Sequence, residues 1–414
     1  MKKQILTASA LIVASLTFGA GFQTLEQGAA NLGTANAGAT VNANADASAA
    51  FWNPSSGFSS NLNIGETKVD AAFSLVLSAF DFYTESVTNN NRPLGQSGDA
   101  GVECVVPNFY VLHRLTEDFM LSLSVTPTYA LETDYENGWV GSDCALNSQV
   151  TTIDINPSVA YKVTDWLTVS GGVSVQWAHG CLTQSLIWLP DMGSTLPMFA
   201  GSARITASGW GVGGNAGFTI DYAEDGRFGF HWRSEVAHSL EGNMRSSMSS
   251  SLTPVGLDID LPQTFSIGWY QRLRGDLKRF ALMADYTYTC WSSFERLTIK
   301  GTSVDVDEDW RNTSRVAAGV HFYPFDNDDT VLRFGTAWDQ TPVKDSEHRY
   351  ARIPCTDRIW FSGGIGQKFG NVNVDLGYTY IYFYDNPRMG GEEKLTGYFK
   401  GSAHVISVQM GYKF

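Results

Sequence analysis

Residues 181 to 199 read CLTQSLIWLPDMGSTLPMF and gather Leu186, Ile187, Trp188, Leu189, Met192, Leu196, Met198 and Phe199 around a single charge, Asp191. Such a set cannot move protons or attack a carbonyl. Its chemistry is the sequestration of an oily ligand, if the segment faces water, where large apolar side chains need a reason. A loop that packs on its scaffold or folds inward would hide the same side chains equally well. A second segment, 240 to 257, carries Leu240, Met244, Met248, Leu252 and Val255; its methionines suit an opposite wall that adapts to ligands of different shape. No serine sits in a GxSxG elbow. The five cysteines (Cys104, Cys144, Cys181, Cys290, Cys355) are widely spaced, with no CxxC pair and no histidine cluster of metal-binding type. At most two disulfides can form, their pairing is not legible, and free thiols account for the cysteines as well. We expect no cofactor, no metal and no enzyme activity.

The elements that would position these residues begin after a leader. MKKQILTASALIVASLTFGAGF has Lys2 and Lys3, an apolar run from Leu11 to Leu16 and then small residues, the layout of a secretory signal. We expect residues 1–19 to be removed after Gly19, leaving Ala20 as the mature start. Loss of Lys2 and Lys3 moves the formal charge from -14 to -16, which excludes nucleic acid as a partner. No later stretch approaches the ~20 apolar residues of a membrane helix. Yet hydrophobic residues are 43% and aromatic residues 13% of the chain, a content that transmembrane β-strands conceal by showing lipid every second residue.

That period is visible. Val372, Val374, Leu376, Tyr378, Tyr380 and Tyr382 share one parity against Asn373, Asp375, Gly377 and Thr379. Phe280, Leu282, Ala284, Tyr286 and Tyr288 do the same against Asp285, Thr287 and Thr289. Six tight polar connections (near 114–118, 162–165, 222–226, 272–278, 325–329 and 369–371) alternate with seven long ones (83–101, 133–149, 178–203, 240–257, 299–309, 341–356 and 385–400), and together they join fourteen strands. An all-β, 14-stranded antiparallel transmembrane β-barrel over 66–414 follows, closed because lipid offers no partner for a sheet edge. The chain ends HVISVQMGYKF, a strand whose last residue, Phe414, places an aromatic ring at the periplasmic interface. Both apolar segments then fall on the outside of the cell. A soluble all-β protein would share the alternation but not the asymmetry of the connections.

Residues 20–65 differ. They are rich in Ala, Gly and Asn without strand alternation, as a flexible linker would be, but small residues also suit a segment threaded through a lumen. Phe51, Trp52, Asn53 and Pro54 end the run with a fixed turn, and we read the segment as an N-terminal hatch that plugs the barrel.

Several blocks resemble the outer-membrane long-chain fatty acid and hydrophobic compound transporter family (FadL, TodX and relatives). They include AGFQ, WNPSS, VPNFYV, ALETDYENGWVG, INPSVAYKVTDWLTVSGGV, SGWGVGGNAGF, LPQTFSIGWYQ, ALMADYTYTCWSSFERL, DQTPV, RIPCTDRIWFSGGIGQKF and KGSAHVISVQMGYKF, in order over residues 20 to 414. Ser55 departs from the family's usual Ala in the hatch motif, and Cys290 and Cys355 are unexpected. The resemblance implies a hatch-plugged barrel for the passive uptake of long-chain fatty acids in one branch and aromatic hydrocarbons in another. It implies capture between two outer loops, binding in a barrel pocket, hatch rearrangement and sideways exit at a kinked strand. Pro127, Tyr129 and Ala130 mark that strand: Pro127 cannot donate to a ladder, and Ala130 falls where relatives often carry Gly. A proline near a strand end without a role would look the same.

A fatty acid needs a cation, and Arg204, Arg233, Arg245, Arg333 and Arg358 are candidates, each also fit for a lumen ion pair. His231 and His321 read as lumen or interface residues. The expected partners are a hydrophobic small molecule, outer-membrane lipid and lipopolysaccharide. A self-plugged barrel of this size need not trimerise, so a monomer is expected. An open porin and a lipid-acting outer-membrane enzyme are the rival readings.

Overall fold

The computed structural model describes residues 21–414 apart from 88–97, 137, 187, 190–197, 200, 303 and 391–394; the side chains of 188, 189, 198 and 199 are also outside the description. The expected leader therefore lies outside the described residues. Fourteen antiparallel strands close on themselves. They are β1 (Thr67–Val87), β2 (Glu103–Arg114), β3 (Phe119–Thr126 and Ala130–Asp134), β4 (Asn147–Thr164), β5 (Leu167–Ser185), β6 (Ser202–Ala223) and β7 (Gly226–Arg233 and Val236–Ser246). The circuit continues through β8 (Leu252–Leu261 and Thr264–Arg272), β9 (Phe280–Thr289), β10 (Thr313–Phe322), β11 (Thr330–Asp339), β12 (Arg358–Phe369), β13 (Val372–Phe383) and β14 (Leu395–Lys413). Closure is the β1–β14 ladder, in register from Lys68↔Lys413 to Val87↔Leu395 with one irregularity at Thr84/Ser86.

Parity sorts the two faces as the sequence predicts. Phe73, Leu75, Leu282, Leu376, Ile406, Val408 and Met410 are exposed to the lipid side, while Asp70, Ser74, Asp285, Asp375, Ser407 and Gln409 are buried toward the lumen. Phe414 is exposed beside Tyr412, with ring centroids 4.6 Å apart, at the end with the short turns.

The connections differ from expectation on the outer side. The segment 240–257 is not a long loop: β7 runs to Ser246, β8 starts at Leu252, and the two pair from Val236↔Leu261 to Arg245↔Leu252. Alternation continues there beyond the membrane band, because one face of this hairpin packs inward, with Leu240, Val255, Leu257, Ile259 and Leu261 all buried. The segment expected as a loop at 299–309 includes part of a short hairpin, Arg296–Lys300 against Asp305–Asp307.

The lumen is filled by residues 21–62. The Ala/Gly/Asn run coils through short helical turns, including α1 (Ala29–Leu32) and α2 (Ala49–Trp52), and nearly all of it is buried. Its composition has a packing cause: a Cβ on Gly377 of the wall would sit 2.5 Å from the Ala29 carbonyl oxygen, so backbone meets backbone with no side chain between. Asn36, Asn42 and Asn61 adopt positive φ (60°, 49° and 52°), which asparagine tolerates better than most residues.

Candidate functional site

Polar wall residues hold the hatch. Asp285 accepts from the N–H of Thr40 at 3.0 Å and from that of Gly38, and Asp70 accepts from the Ala47 N–H at 2.5 Å. Asn53 caps the turn that follows it by accepting from Ser55, whose hydroxyl lies 2.7 Å from Asn53 Oδ1, and its amide donates to the Thr40 carbonyl at 2.9 Å. Ser55 Oγ, the family departure, also lies 2.7 Å from Thr219 Oγ1 on β6. Phe51 packs edge-on to Trp52 and under the Arg233 guanidinium, 4.3 Å from its ring centre, and Pro54 is buried.

Above the hatch lies a cavity of about 740 Å³. Its apolar walls come from the upper ends of β4 to β8 (Val150, Leu182, Ile205, Met244, Leu257, Ile259) and from the segment after β9 (Phe294, Leu297, Ile299, Val304). Phe22 closes it on the hatch side. That ring sits 4.8 Å from Trp291, 5.8 Å from Phe294 and from Trp310, and 6.0 Å from Tyr129, centroid to centroid. Arg352 stands on the polar side, donating to Ser148 Oγ at 3.0 Å and Gln184 Oε1 at 2.7 Å. A large apolar recess with a few polar groups is the shape of a small-molecule site.

Of the residues expected from sequence, Leu186 and Met244 line this cavity. Met248 does not; it is exposed on the 247–251 turn. The backbones of Trp188 and Phe199, and of Leu189 and Met198, pair in a two-stranded ribbon, while Ile187 and Met192 lie outside the described residues. Phe22, Leu257, Ile259, Phe294, Leu297 and Ile353 were missed. For Leu257 and Ile259 a signal existed in the strict alternation of GLDIDL; for Phe22 none did.

The wall breaks at β3. Pairing with β4 passes from Thr126↔Asp154 to Ala130↔Thr151, one extra residue on β3, around Pro127, Thr128 and Tyr129. Pairing with β2 stops at Phe109↔Val125, although β2 continues along β1 to Glu103. The start of the hatch lies in this parting. The Thr24 N–H donates to the Thr128 carbonyl and the Ala130 N–H to the Phe22 carbonyl, both at 2.9 Å, and Gln23 bridges Tyr129. From β2, Asn108 donates to the Glu26 carbonyl at 2.8 Å and Tyr110 to that of Gln27 at 2.7 Å. Hatch backbone thus satisfies groups that a neighbouring strand would otherwise meet, as a low-dielectric surround demands.

The arginines divide. Arg233 pairs with Asp154 (3.1 Å), Arg333 with Asp375 (2.7 Å) and Arg358 with Asp339 (2.9 Å), whereas Arg204 and Arg245 are exposed. His231 and His321 are buried in the lumen. The five cysteines form no disulfide among the described residues.

Known proteins agree with this architecture. The family described as "Outer membrane protein transport protein (OMPP1/FadL/TodX)" matches residues 10–414. A long-chain fatty acid transport protein of Escherichia coli O6:H1 is 26% identical over 373 residues, which cover 79% of this chain and 82% of that protein. The solved structure of a Pseudomonas aeruginosa FadL homologue shares the fold with a TM-score of 0.82 at 22% identity, covering 95% of this chain and 99% of its own. The Pseudomonas putida toluene transporter TodX shares it at 0.65 and 14% identity, covering 96% and 99%. With the family matched over almost the whole length, and with the closed barrel and buried hatch in place, the chain belongs to the OMPP1/FadL/TodX family, Gram-negative outer-membrane barrels that transport hydrophobic compounds.

Proposed function

We propose that the protein takes up long-chain fatty acids by passive diffusion. Cargo is collected at the outer mouth around Leu186 to Phe199, held in the cavity that Met244 lines, and released sideways at Pro127, Tyr129 and Ala130 once residues 22–27 of the hatch leave the parting between β2 and β3. The observation that carries this reading is the position of one hatch segment, which closes the cavity with Phe22 and fills the parting with Gln23 to Gln27. A single displacement would open both. Arg352, the cation among the described lining residues, offers an acidic head group a partner, although Asp143, Asp305, Asp307 and Glu308 line the same cavity. The aromatic floor of Phe22, Trp291 and Phe294 supports a second reading, uptake of aromatic hydrocarbons by the same route, and the toluene transporter shares the fold.

In this account residues 1–19 are the export leader, 20–65 the hatch and 66–414 the barrel, working as a monomer among outer-membrane lipid and lipopolysaccharide. The filled lumen argues against a general porin. The test is uptake of labelled oleate and labelled toluene by cells with and without the protein. Faster oleate entry supports the fatty acid reading, toluene alone the second, and unchanged uptake of both at normal surface expression overturns them.

A further inference from the structure

The large cavity shares a wall with a smaller one that reaches a buried arginine. Leu131 and Ile353 line that cavity and also a second, smaller one of about 30 Å³. This has room for about two water-sized groups, the size of the two oxygens of a carboxylate. The walls of the smaller cavity include Phe80, Thr133, Cys355 and Phe383, and among the described residues its one charged lining residue is Arg358.

Arg358 is 1% exposed. Its Nε donates to Asp339 Oδ2 at 2.9 Å and its Nη1 reaches Cys355 Sγ at 3.7 Å, while Nη2 has no hydrogen-bond partner among the described residues. A buried guanidinium N–H without an acceptor is costly and uncommon. Two other arginines have different commitments: Arg233 also donates to the Phe51 carbonyl at 2.9 Å, Arg333 to Asn44 at 2.8 Å, and neither lines either of these two cavities.

We propose that Arg358 is the docking residue for the carboxylate of an acidic amphiphile whose chain stays in the larger cavity; this rests on the cargo reading above and names its head-group site. The head passes between Leu131 and Ile353, and Nη2 supplies a charge-assisted hydrogen bond of the strong class. The hatch brings a rival. Glu26 is fully buried with Oε1 unpartnered, Arg315 on β10 has an unpartnered Nε, and Arg315 and Arg358 both act on Glu26 electrostatically. A carboxylate at Arg358 and the Glu26 carboxylate lie in the field of the same cation, so loss of the Glu26 charge favours the cargo.

The test measures binding of oleate and of oleyl alcohol, equal in chain but not in head group, to the full protein in lipid nanodiscs at pH 8. Wild type should bind oleate at least about tenfold more tightly, as one charge-assisted hydrogen bond supplies. Arg358→Met should bring the two ligands within about twofold while keeping the affinity for the alcohol, and Glu26→Gln should tighten oleate alone, by about threefold or more. If Arg358→Met does not fold, Leu131→Trp, which fills the neck, should abolish the preference in the same way. Equal affinities in wild type, or a preference that survives Arg358→Met and is lost in Arg352→Met, overturn the assignment. If wild type binds neither ligand, the cavity reading itself fails and the head-group site with it.

Discussion

The side-chain amide of Gln27 donates to the carbonyl of Pro127 at 2.8 Å, so the hatch, not a strand, satisfies the residue that interrupts β3. Tyr110 on β2 donates to Gln27 Oε1 at 2.8 Å, and Gln27 thus ties both sides of the parting. Gln27→Leu leaves the Pro127 carbonyl buried and unpaired, at about 1–3 kcal/mol, while the Tyr110 hydroxyl keeps its bond to the backbone carbonyl of residue 27. The barrel should still form, with heat-modifiable gel mobility retained. The hatch should dock less firmly, giving larger single-channel conductance and faster entry of polar antibiotics. Conductance equal to wild type would remove Gln27 from the latch.

Close approach between hatch and wall predicts a second route to leakage. Gly377→Ala puts a methyl group 2.5 Å from the Ala29 carbonyl oxygen, a distance that no packed pair of atoms holds. At Gly363 on the neighbouring strand the same methyl meets nothing closer than the Arg333 carbonyl at 3.9 Å. Conductance should rise in Gly377→Ala and stay at the wild-type level in Gly363→Ala. Equal behaviour of the two would mean that wall glycines do not set the hatch position.

Inward and outward positions on one hairpin separate binding from mere apolarity. Met244 lines the large cavity, and Met248, four residues on, is exposed. Met244→Asp places an unpaired charge against an apolar wall and should weaken oleate binding by at least about tenfold, whereas Met248→Asp should change it less than about twofold. Loss of affinity in both would point back to a capture surface that includes the exposed turn.

Much of the barrel is legible because its signal is local. Lipid parity repeats every second residue, so Ile406 to Phe414 declare their face without reference to any partner. The β7–β8 hairpin misled for a related reason: Met244 and Leu252 lie on strands that continue past the membrane, where the outward face no longer needs to be greasy and the alternation reads as an irregular loop. The hatch shows the opposite limit. Its small residues announce a tight space, but which carbonyl Gln27 or Asn53 meets depends on strands a hundred or more residues away, and no local pattern encodes such a pairing. Phe22 became visible as a cavity wall only once Trp291 and Phe294 stood beside it.

The last prediction concerns pH. Burial pushes the Glu26 carboxyl from 4.5 up to about 7, against the opposing pull of hydrogen bonds from the backbone N–H groups of Glu26 and Leu25 and of the fields of Arg358 and Arg315. For a group whose value is raised on folding, the favourable contribution is complete below the unfolded value and is lost as pH rises through the folded one. The docked hatch should therefore be firmest near pH 5 and weaken between pH 5 and 8, by up to roughly 3 kcal/mol, the worth of a shift of this size. Asp70, Asp285 and Asp375 of the wall and Asp46 of the hatch lie in the same lumen, so the comparison must isolate Glu26. Glu26→Gln does so, since it keeps the shape and stays neutral throughout. Leak conductance should climb from pH 5 to pH 8 in wild type and run flat in Glu26→Gln. A parallel climb in both proteins would assign the pH dependence to the aspartates and leave Glu26 with no part in holding the hatch.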